Sequence, residues 1–178
     1  MDIVNFFERA EGSWFSQRTT HFIQGQPSQT GQTTLDLIPL ATEAPEIVPL
    51  CQHFGADPTD VLLALRISQE GGQGGGLYGN PPTQQGGNTL FVVMKAVEAM
   101  GQFLSQIGNE PPTEGQYHLN EEVLTLVTDT AQLHSEERIW YLNPNLRMRT
   151  SFATLSDGFQ LASFCSEIRR GVPRAASE

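Results

Sequence analysis

The sequence has few cysteines, a single lysine and no long apolar run. Cys51 and Cys165 are the only cysteines, and no histidine or cysteine pair has metal-ligand spacing, so we expect free thiols and no metal site. No apolar run approaches the roughly 20 residues of a membrane-spanning helix. The first ten residues lack the basic-then-apolar order of a signal peptide, which predicts a cytosolic or stromal protein without a membrane partner. The length suits a single domain over residues 1–178.

Basic residues are also scarce. Twenty acidic residues against ten basic ones give a formal net charge of −10, which argues against nucleic acid as a partner because its phosphates must be neutralised by Lys and Arg. Lys95 is the only lysine, so nine of the ten basic residues are arginines. Arginine is favoured for fixed, forked contacts with carboxylates. Either the excess of arginine over lysine is a compositional bias, or several arginines bind an acidic group in a fixed position.

Hydrophobic periodicity predicts an all-β protein with minor α structure. We expect a helix at 2–11 and a short helix at 45–54, after the second strand. The segment 70–88 has eight glycines among its 19 residues and predicts a loop, with a weak strand at 77–78. Strands are predicted at 14–23, 33–40, 60–68, 89–95, 117–119, 123–129, 133–142, 146–155 and 158–170, and 97–108 fits strand or helix. Their order predicts an antiparallel meander that closes into a barrel with room for one small ligand.

The hairpin at 133–155 gathers unusual side chains. If Leu142 and Asn145 close its turn, one face carries three arginines, a tryptophan and a glutamate, the facing pairs being Trp140 with Arg147, Arg138 with Arg149 and Glu136 with Ser151. A flat aromatic among fixed cations suits a planar, acidic ligand. The alternative is the solvent face of a half-buried sheet. A slip of one residue in one strand would separate the two sets.

The first and last strands offer a similar mixture. Trp14 and Arg18 share one side of the first strand, and His21 lies on the other. In a meander barrel the first and last strands are neighbours, so Arg18 and Glu167 are expected to meet, as a structural ion pair or at the mouth of a pocket.

Three separated segments resemble the S/U-type phycobiliprotein lyases of cyanobacteria and algae. They are FFERAEGSWFSQRTTH at 6–21, SEERIWYLNPNLRMRTS at 135–151 and GFQLASFCSEIRRG at 158–171. The resemblance implies a lipocalin-like or fatty-acid-binding-protein-like antiparallel barrel with an N-terminal helix. It also implies that the protein attaches phycocyanobilin, or a related bilin, through a thioether to a cysteine of a phycobiliprotein subunit.

The resemblance also implies roles for particular residues. The bilin is a substrate, no cofactor is permanently bound, and the acceptor subunit supplies the thiol, so Cys51 and Cys165 are not expected to be catalytic. Glu136 would hydrogen-bond the pyrrole nitrogens and Arg149 would hold a propionate, as the catalytic pair. The residues expected to bind the bilin are Trp14, Arg18, His21, Arg138, Trp140, Arg147 and Glu167.

The chain departs from the family pattern at two places. Family members commonly carry tryptophan in the segment corresponding to 68–78, which here reads SQEGGQGGGLY, and Phe22 stands where a second histidine often follows. These departures keep two alternatives open: a bilin or fatty-acid carrier without transfer activity, and one subunit of a heteromeric lyase. The possible protein partners are therefore a phycobiliprotein apo-subunit, a second lyase subunit and a second copy of the chain.

Overall fold

Ten antiparallel strands close into a barrel in the computed structural model, which describes residues 1–71, 87–96 and 100–171. Helix α1 (Ile3–Glu8) precedes the first strand, helix α2 (Ile47–His53) follows the second, and a 3-10 turn, η1 (Pro58–Asp60), leads into the third. The strands are β1 (Gly12–Phe22), β2 (Gln29–Leu40), β3 (Val61–Glu70), β4 (Asn88–Met94), β5 (Gly101–Ile107), β6 (Thr113–Asn120), β7 (Val123–Asp129), β8 (Leu133–Asn143), β9 (Leu146–Leu155) and β10 (Gln160–Arg169).

Each strand pairs with its neighbours in sequence, and β1 pairs with β10 to close the barrel. The predicted fold class and both predicted helices are confirmed, and the undecided segment 97–108 contains β5. The turn between β6 and β7 consists of Glu121 and Glu122, and both residues have positive φ. A two-residue hairpin turn whose twist matches that of its strands requires positive φ at both positions. The predicted loop at 70–88 and the weak strand at 77–78 lie largely or wholly outside the described residues.

Helix α1 covers one end of the barrel. Asp2 caps it by accepting a hydrogen bond from the Asn5 backbone N–H at 2.8 Å. Phe6 and Phe7 are buried in the interior core, where the Phe6 ring meets Tyr141 edge to face at 5.1 Å between centroids. The N-terminal helix therefore closes the interior beneath the inward-facing side chains of β1 and β8.

Helix α2 covers a different surface, the outer side of β3, β4 and β5. Its buried residues Ile47, Leu50 and Cys51 join a second core with outward-facing residues of these strands, namely Val61, Ala64, Val92, Met94 and Leu104. The apolar outer side of β3–β5 is therefore covered by the chain itself.

The register predicted for the β8–β9 hairpin is wrong by one residue. Asn143 pairs with Leu146, but the next pair is Tyr141 with Arg147, so Leu142 is an extra residue in β8. Such a bulge shifts every later pair and exchanges the two faces of one strand. As a result Glu136, Arg138 and Trp140 lie opposite Phe152, Thr150 and Met148 on the outer side, and the inward residues are Glu137, Ile139 and Tyr141 with Ser151, Arg149 and Arg147.

Candidate functional site

A buried carboxylate, Glu167, organises a charged cluster inside the barrel. It is fully buried on β10, opposite Arg147 on β9 and Ser16 on β1. Its Oε2 accepts a hydrogen bond from Arg147 Nε, and its Oε1 lies 3.0 Å from Arg149 Nη2 and 3.3 Å from Ser16 Oγ. The antiparallel register alone brings these four side chains together, because all occupy inward positions on adjacent strands.

The surroundings of Glu167 keep it ionised. Burial acts to raise its pKa, but the guanidinium groups of Arg149 and Arg147, with hydrogen bonds from Arg147 and Ser16, outweigh burial and lower the pKa to about 2. A permanently charged carboxylate therefore holds Arg147 and Arg149 in fixed positions.

Glu137 is the second carboxylate of the cluster, and its surroundings differ. It is 2% exposed, its Oε1 lies 3.4 Å from Arg149 Nη1, and its Oε2 is buried with no hydrogen-bond partner. Burial raises the pKa of Glu137, with a further contribution from Glu167, and Arg149, Arg18 and Arg147 only partly offset the rise. The pKa values of the two carboxylates thus shift in opposite directions. A difference of this kind is commonly used to assign acid and base roles in an active site.

Arg18 is the third arginine near the two carboxylates. Arg18 donates a hydrogen bond from Nε to Cys165 Sγ at 3.2 Å and is close enough to Glu137 to lower its pKa. Within the described part of the chain, three guanidinium groups thus lie near two carboxylates. Arg147 Nη2 is buried, and no described residue accepts a hydrogen bond from it. A buried donor without an acceptor suits an acidic ligand, because leaving it unsatisfied costs about 1–3 kcal/mol.

Trp14 lies between two arginines at the α1 end of the cluster. The guanidinium carbons of Arg147 and Arg169 are 4.4 and 4.3 Å from its ring centroid, within cation–π distance. Its Nε1 donates to the Ala10 carbonyl at 2.9 Å, and the residue is fully buried. Trp14 therefore packs against the guanidinium group of Arg147 and does not present an exposed ring surface to a ligand.

The structure brings together five of the nine predicted site residues, namely Trp14, Arg18, Arg147, Arg149 and Glu167. The sequence predicts that Arg18 and Glu167 meet. Arg18 instead contacts Cys165, which lies two residues before Glu167 on β10. Glu136, Arg138 and Trp140 lie on the outer side, as does His21, which is exposed on β1. Arg138 donates from Nε to Glu136 Oε1 at 2.8 Å, so these two form a surface ion pair.

Glu137 is the interior residue that sequence reasoning missed. It adjoins Glu136, and only the phase of β8 distinguishes the two. That phase depends on the bulge at Leu142, for which the turn Asn143-Pro144-Asn145 gives no signal. Both faces of β8 carry an aromatic residue, Trp140 on one and Tyr141 on the other, so hydrophobicity does not decide the phase either.

An open cavity of about 780 Å³ lies elsewhere, lined by parts of β4–β7 and the segment before β3. Its charged lining is Lys95 with Asp57, Asp60, Glu114 and Asp129. Four carboxylates around one ammonium group repel an acidic ligand, so this cavity is a poorer candidate than the arginine cluster. Among the described residues, no helix is long and apolar enough to cross a membrane, and no group of three or more potential metal ligands lies together.

The family model described as CpeS-like protein matches residues 2–170 of this chain. The chain belongs to the CpeS-like family. It is 35% identical to the chromophore lyase CpcS/CpeS of Thermosynechococcus vestitus, over 99% of this chain and 97% of that relative. The phycocyanobilin lyase subunit CpcS of Picosynechococcus is 29% identical, over 94% of this chain and 86% of that relative. Membership confirms the resemblance drawn from the three sequence segments.

A solved member of the CpeS-like family supports the fold. The S-type phycobiliprotein lyase CPES from Guillardia theta superimposes with a TM-score of 0.82 at 28% identity, covering 97% of this chain and 95% of that one. The barrel described above is therefore the fold of this family.

Proposed function

We propose that this protein is a chromophore lyase that binds an open-chain tetrapyrrole, phycocyanobilin as the first candidate, and attaches it by a thioether to a cysteine of a phycobiliprotein subunit. The observation that carries the proposal is the buried cluster of Arg18, Arg147 and Arg149 around Glu137 and Glu167. The names of the relatives support the reaction class: chromophore lyase in Thermosynechococcus vestitus and phycocyanobilin lyase subunit in Picosynechococcus.

The arginines provide sites for the two propionates of a bilin. Glu167 fixes Arg147 and Arg149 and thereby reduces the entropy that they lose when a carboxylate binds. Arg147 Nη2 has no hydrogen-bond partner in the described structure, and a propionate would accept from it. Arg18, half-buried on β1, would supply the second contact nearer the solvent.

We assign to Glu137 the role predicted for Glu136, which is hydrogen bonding to the pyrrole nitrogens. Its free Oε2 is the acceptor inside the cluster that a pyrrole N–H would satisfy. A carboxylate hydrogen-bonded to the pyrrole nitrogens favours the protonated and more electrophilic bilin. The acceptor thiol then adds to the exocyclic double bond: its sulfur forms the C–S bond, its proton is taken up by the tetrapyrrole, and no oxidant or reductant is needed. The protein contributes by orientation and electrostatics.

The acceptor subunit and the need for a second lyase subunit belong to the same proposal. One relative is named as a lyase subunit, which favours a heteromeric lyase as the second candidate. A bilin carrier without transfer activity would use the same arginine cluster and differs only in failing to form the thioether. For the compartment, the sequence-based expectation of a cytosolic or stromal protein stays a prediction.

Co-production in cells that make phycocyanobilin tests the function. The chain is produced with a phycobiliprotein apo-subunit, and the subunit is examined under denaturing conditions for bilin fluorescence. We expect fluorescence that is lost when the acceptor cysteine is replaced by alanine. Attachment only after a second lyase subunit is added would identify the heteromeric form. Tight bilin binding without attachment in either case would identify a carrier and contradict the lyase proposal.

A further inference from the structure

The C-terminal end of helix α1 is bound to the barrel through backbone carbonyl groups. The Ala10 carbonyl accepts a hydrogen bond from Trp14 Nε1 at 2.9 Å. The carbonyls of Arg9 and Glu11 both accept hydrogen bonds from the guanidinium group of Arg169. Carbonyls at the end of a helix lack donors within the helix, so these two side chains of the barrel satisfy them.

Arg169, at the end of β10, connects three segments of the chain. Besides its bonds to the end of α1, its Nε donates to the Pro144 carbonyl in the β8–β9 turn at 3.2 Å. Its guanidinium carbon also lies 4.3 Å from the ring centroid of Trp14. Gly12 leaves room for it, because a Cβ atom there would lie 3.0 Å from Arg169 Nη1. A planar guanidinium group with five N–H donors suits this junction, and a lysine ammonium group could not reproduce all of these contacts.

Tyr141 is the third side chain that contacts α1. Its hydroxyl donates to the Phe6 carbonyl at 3.3 Å, and it lies opposite Arg147 in the β8–β9 register. Burial raises the pKa of Tyr141, and the positive charges of Arg147 and Arg169 oppose the rise, so both guanidinium groups lie near the phenol. We name Trp14, Tyr141 and Arg169 the α1 platform, since together they connect the helix to Arg147.

Arg147 has two neighbours that fix its guanidinium group. Glu167 accepts a hydrogen bond from Arg147 Nε, which fixes one edge of the group. The ring of Trp14 packs against it, with 4.4 Å between the guanidinium carbon and the ring centroid, and this restricts the plane of the group. Arg147 Nη2 therefore has a defined direction, and no described residue accepts a hydrogen bond from it. A misplacement of about 1 Å in a positioning group of this kind can cost about 100-fold in rate.

We infer that Arg169 is a positioning residue for bilin binding: it holds Trp14 and the end of α1 so that Trp14 fixes Arg147, whose Nη2 receives a propionate. The inference rests on the proposed function, in which the interior arginines bind the propionates. Arg169 acts through Trp14, because the Trp14 ring lies between the guanidinium groups of Arg169 and Arg147. Helix α1 is thus part of the binding site as well as the cover of one barrel end.

A comparison of two ligands tests this role. Phycocyanobilin and its dimethyl ester, in which both propionates are neutral, are titrated against wild type, Arg169→Gln and Arg170→Gln, and the bilin absorbance gives the dissociation constants. Arg170→Gln is the matched control, because Arg170 is exposed, contacts Thr34 Oγ1 and removes the same charge. We expect wild type and Arg170→Gln to prefer the acid equally, and Arg169→Gln to lose about tenfold of that preference, since a charged hydrogen bond is misplaced.

The preference for the acid over the ester separates positioning from folding. A loss of folded protein weakens the binding of both ligands by the same factor and leaves the ratio of their dissociation constants unchanged. If Arg169→Gln does not fold, Trp14→Phe provides the same test, because it keeps an aromatic ring and loses the donor to Ala10, and it should also lower the ratio. Far-ultraviolet circular dichroism verifies that each variant is folded.

The outcomes distinguish the inference from the proposed function. A reduced preference for the acid in Arg169→Gln, with a wild-type preference in Arg170→Gln, supports the inference. Equal ratios in the two variants would overturn it and leave the proposed function standing. A wild-type protein that binds the acid and the ester equally would overturn the assignment of the propionates to the interior arginines, and the role of Arg169 with it.

Discussion

Glu137 and Glu167 face the barrel interior on either side of one guanidinium group, that of Arg149, yet their pKa values move in opposite directions. Arg149 Nη2 is 3.0 Å from Glu167 Oε1, and its Nη1 is 3.4 Å from Glu137 Oε1. Glu167 has hydrogen bonds to both oxygens, and its pKa falls to about 2, whereas Glu137 keeps one oxygen unsatisfied and its pKa rises. We therefore assign a structural role to the first and a proton-exchanging role to the second.

Replacing Glu137 by glutamine should slow bilin attachment by about 100-fold, in the range usual for loss of a general acid–base group. The matched control is Glu136→Gln, which alters the neighbouring carboxylate on the outer side and should leave the rate unchanged. Both rates are measured by bilin fluorescence of the denatured acceptor subunit, at equal concentrations of the two variants and the wild type. Equal rates for the two variants would remove Glu137 from the reaction.

The same substitution should not destabilise the fold. Because the pKa of Glu137 is raised on folding, its ionised form costs stability above the ordinary pKa of a glutamate, and this cost disappears as the pH falls below that value. Glu137→Gln should thus be at least as stable as wild type at neutral pH, with the difference shrinking on acidification. Urea unfolding at several pH values provides the measurement. A strongly destabilised variant at neutral pH would show that Glu137 is a structural carboxylate.

Replacing Glu167 by glutamine should destabilise the protein by about 3–5 kcal/mol, the usual cost of removing one partner from a buried ion pair. Arg147 would then lose its anion, and Arg149 would keep its contact with Glu137. Glu136→Gln removes an exposed pair and should cost at most about 1 kcal/mol. The free energies of unfolding in urea measure both effects, and similar losses in the two variants would contradict the structural role of Glu167.

The contribution of Glu167 should depend on pH in a defined window. Its pKa is about 2 in the folded protein against an ordinary 4.5, so its stabilisation is fully present above about 4.5 and is lost as the pH falls toward 2. The shift corresponds to about 3 kcal/mol. The difference in unfolding free energy between wild type and Glu167→Gln should therefore narrow over this window. If the difference in unfolding free energy stays constant with pH, the negative charge of Glu167 is not the cause of the stabilisation.

Arg18 should contribute to bilin binding and little to folding. Arg18→Gln is expected to weaken phycocyanobilin binding by about tenfold or more, because a hydrogen bond to a charged group is worth about 1.5–3 kcal/mol. Arg138→Gln removes an outward-facing arginine of the same type and should bind normally. Titration of the bilin absorbance gives the dissociation constants. Identical values for the two variants would place the propionates outside the interior cluster.

The sequence was sufficient for the barrel and for most of the cluster. The strand pattern predicted the meander, and the pairing of β1 with β10 followed from it, which places Arg18 beside Cys165 and Glu167 opposite Arg147. The conformation of 97–108 stayed undecided because local propensity is weak there. Its described part, β5, is a strand because β4 and β6 pair with it on both sides. Tertiary pairing of this kind overrides propensity.

The sequence alone could not show which of Glu136 and Glu137 faces the barrel interior. Two-residue periodicity assigns side chains to faces only relative to a known register, and the bulge at Leu142 changed the register by one. The β8 side chains predicted to bind the bilin therefore lie on the outer side of the barrel, where Trp140 pairs with Met148. Arg147 and Arg149 kept their inward positions, because the error affected only β8.

A time course of thioether formation tests the central claim most directly. Purified protein, phycocyanobilin and apo-subunit are mixed, with the second lyase subunit where attachment requires it, and the acceptor-cysteine peptide is quantified by mass spectrometry for wild type, Arg149→Gln and Arg138→Gln. We expect wild type and Arg138→Gln to attach the bilin at equal rates, and Arg149→Gln to be slower by about tenfold or more, since it loses a charged contact to the bilin. Attachment by Arg149→Gln at the wild-type rate would contradict the assignment of the interior cluster as the bilin site.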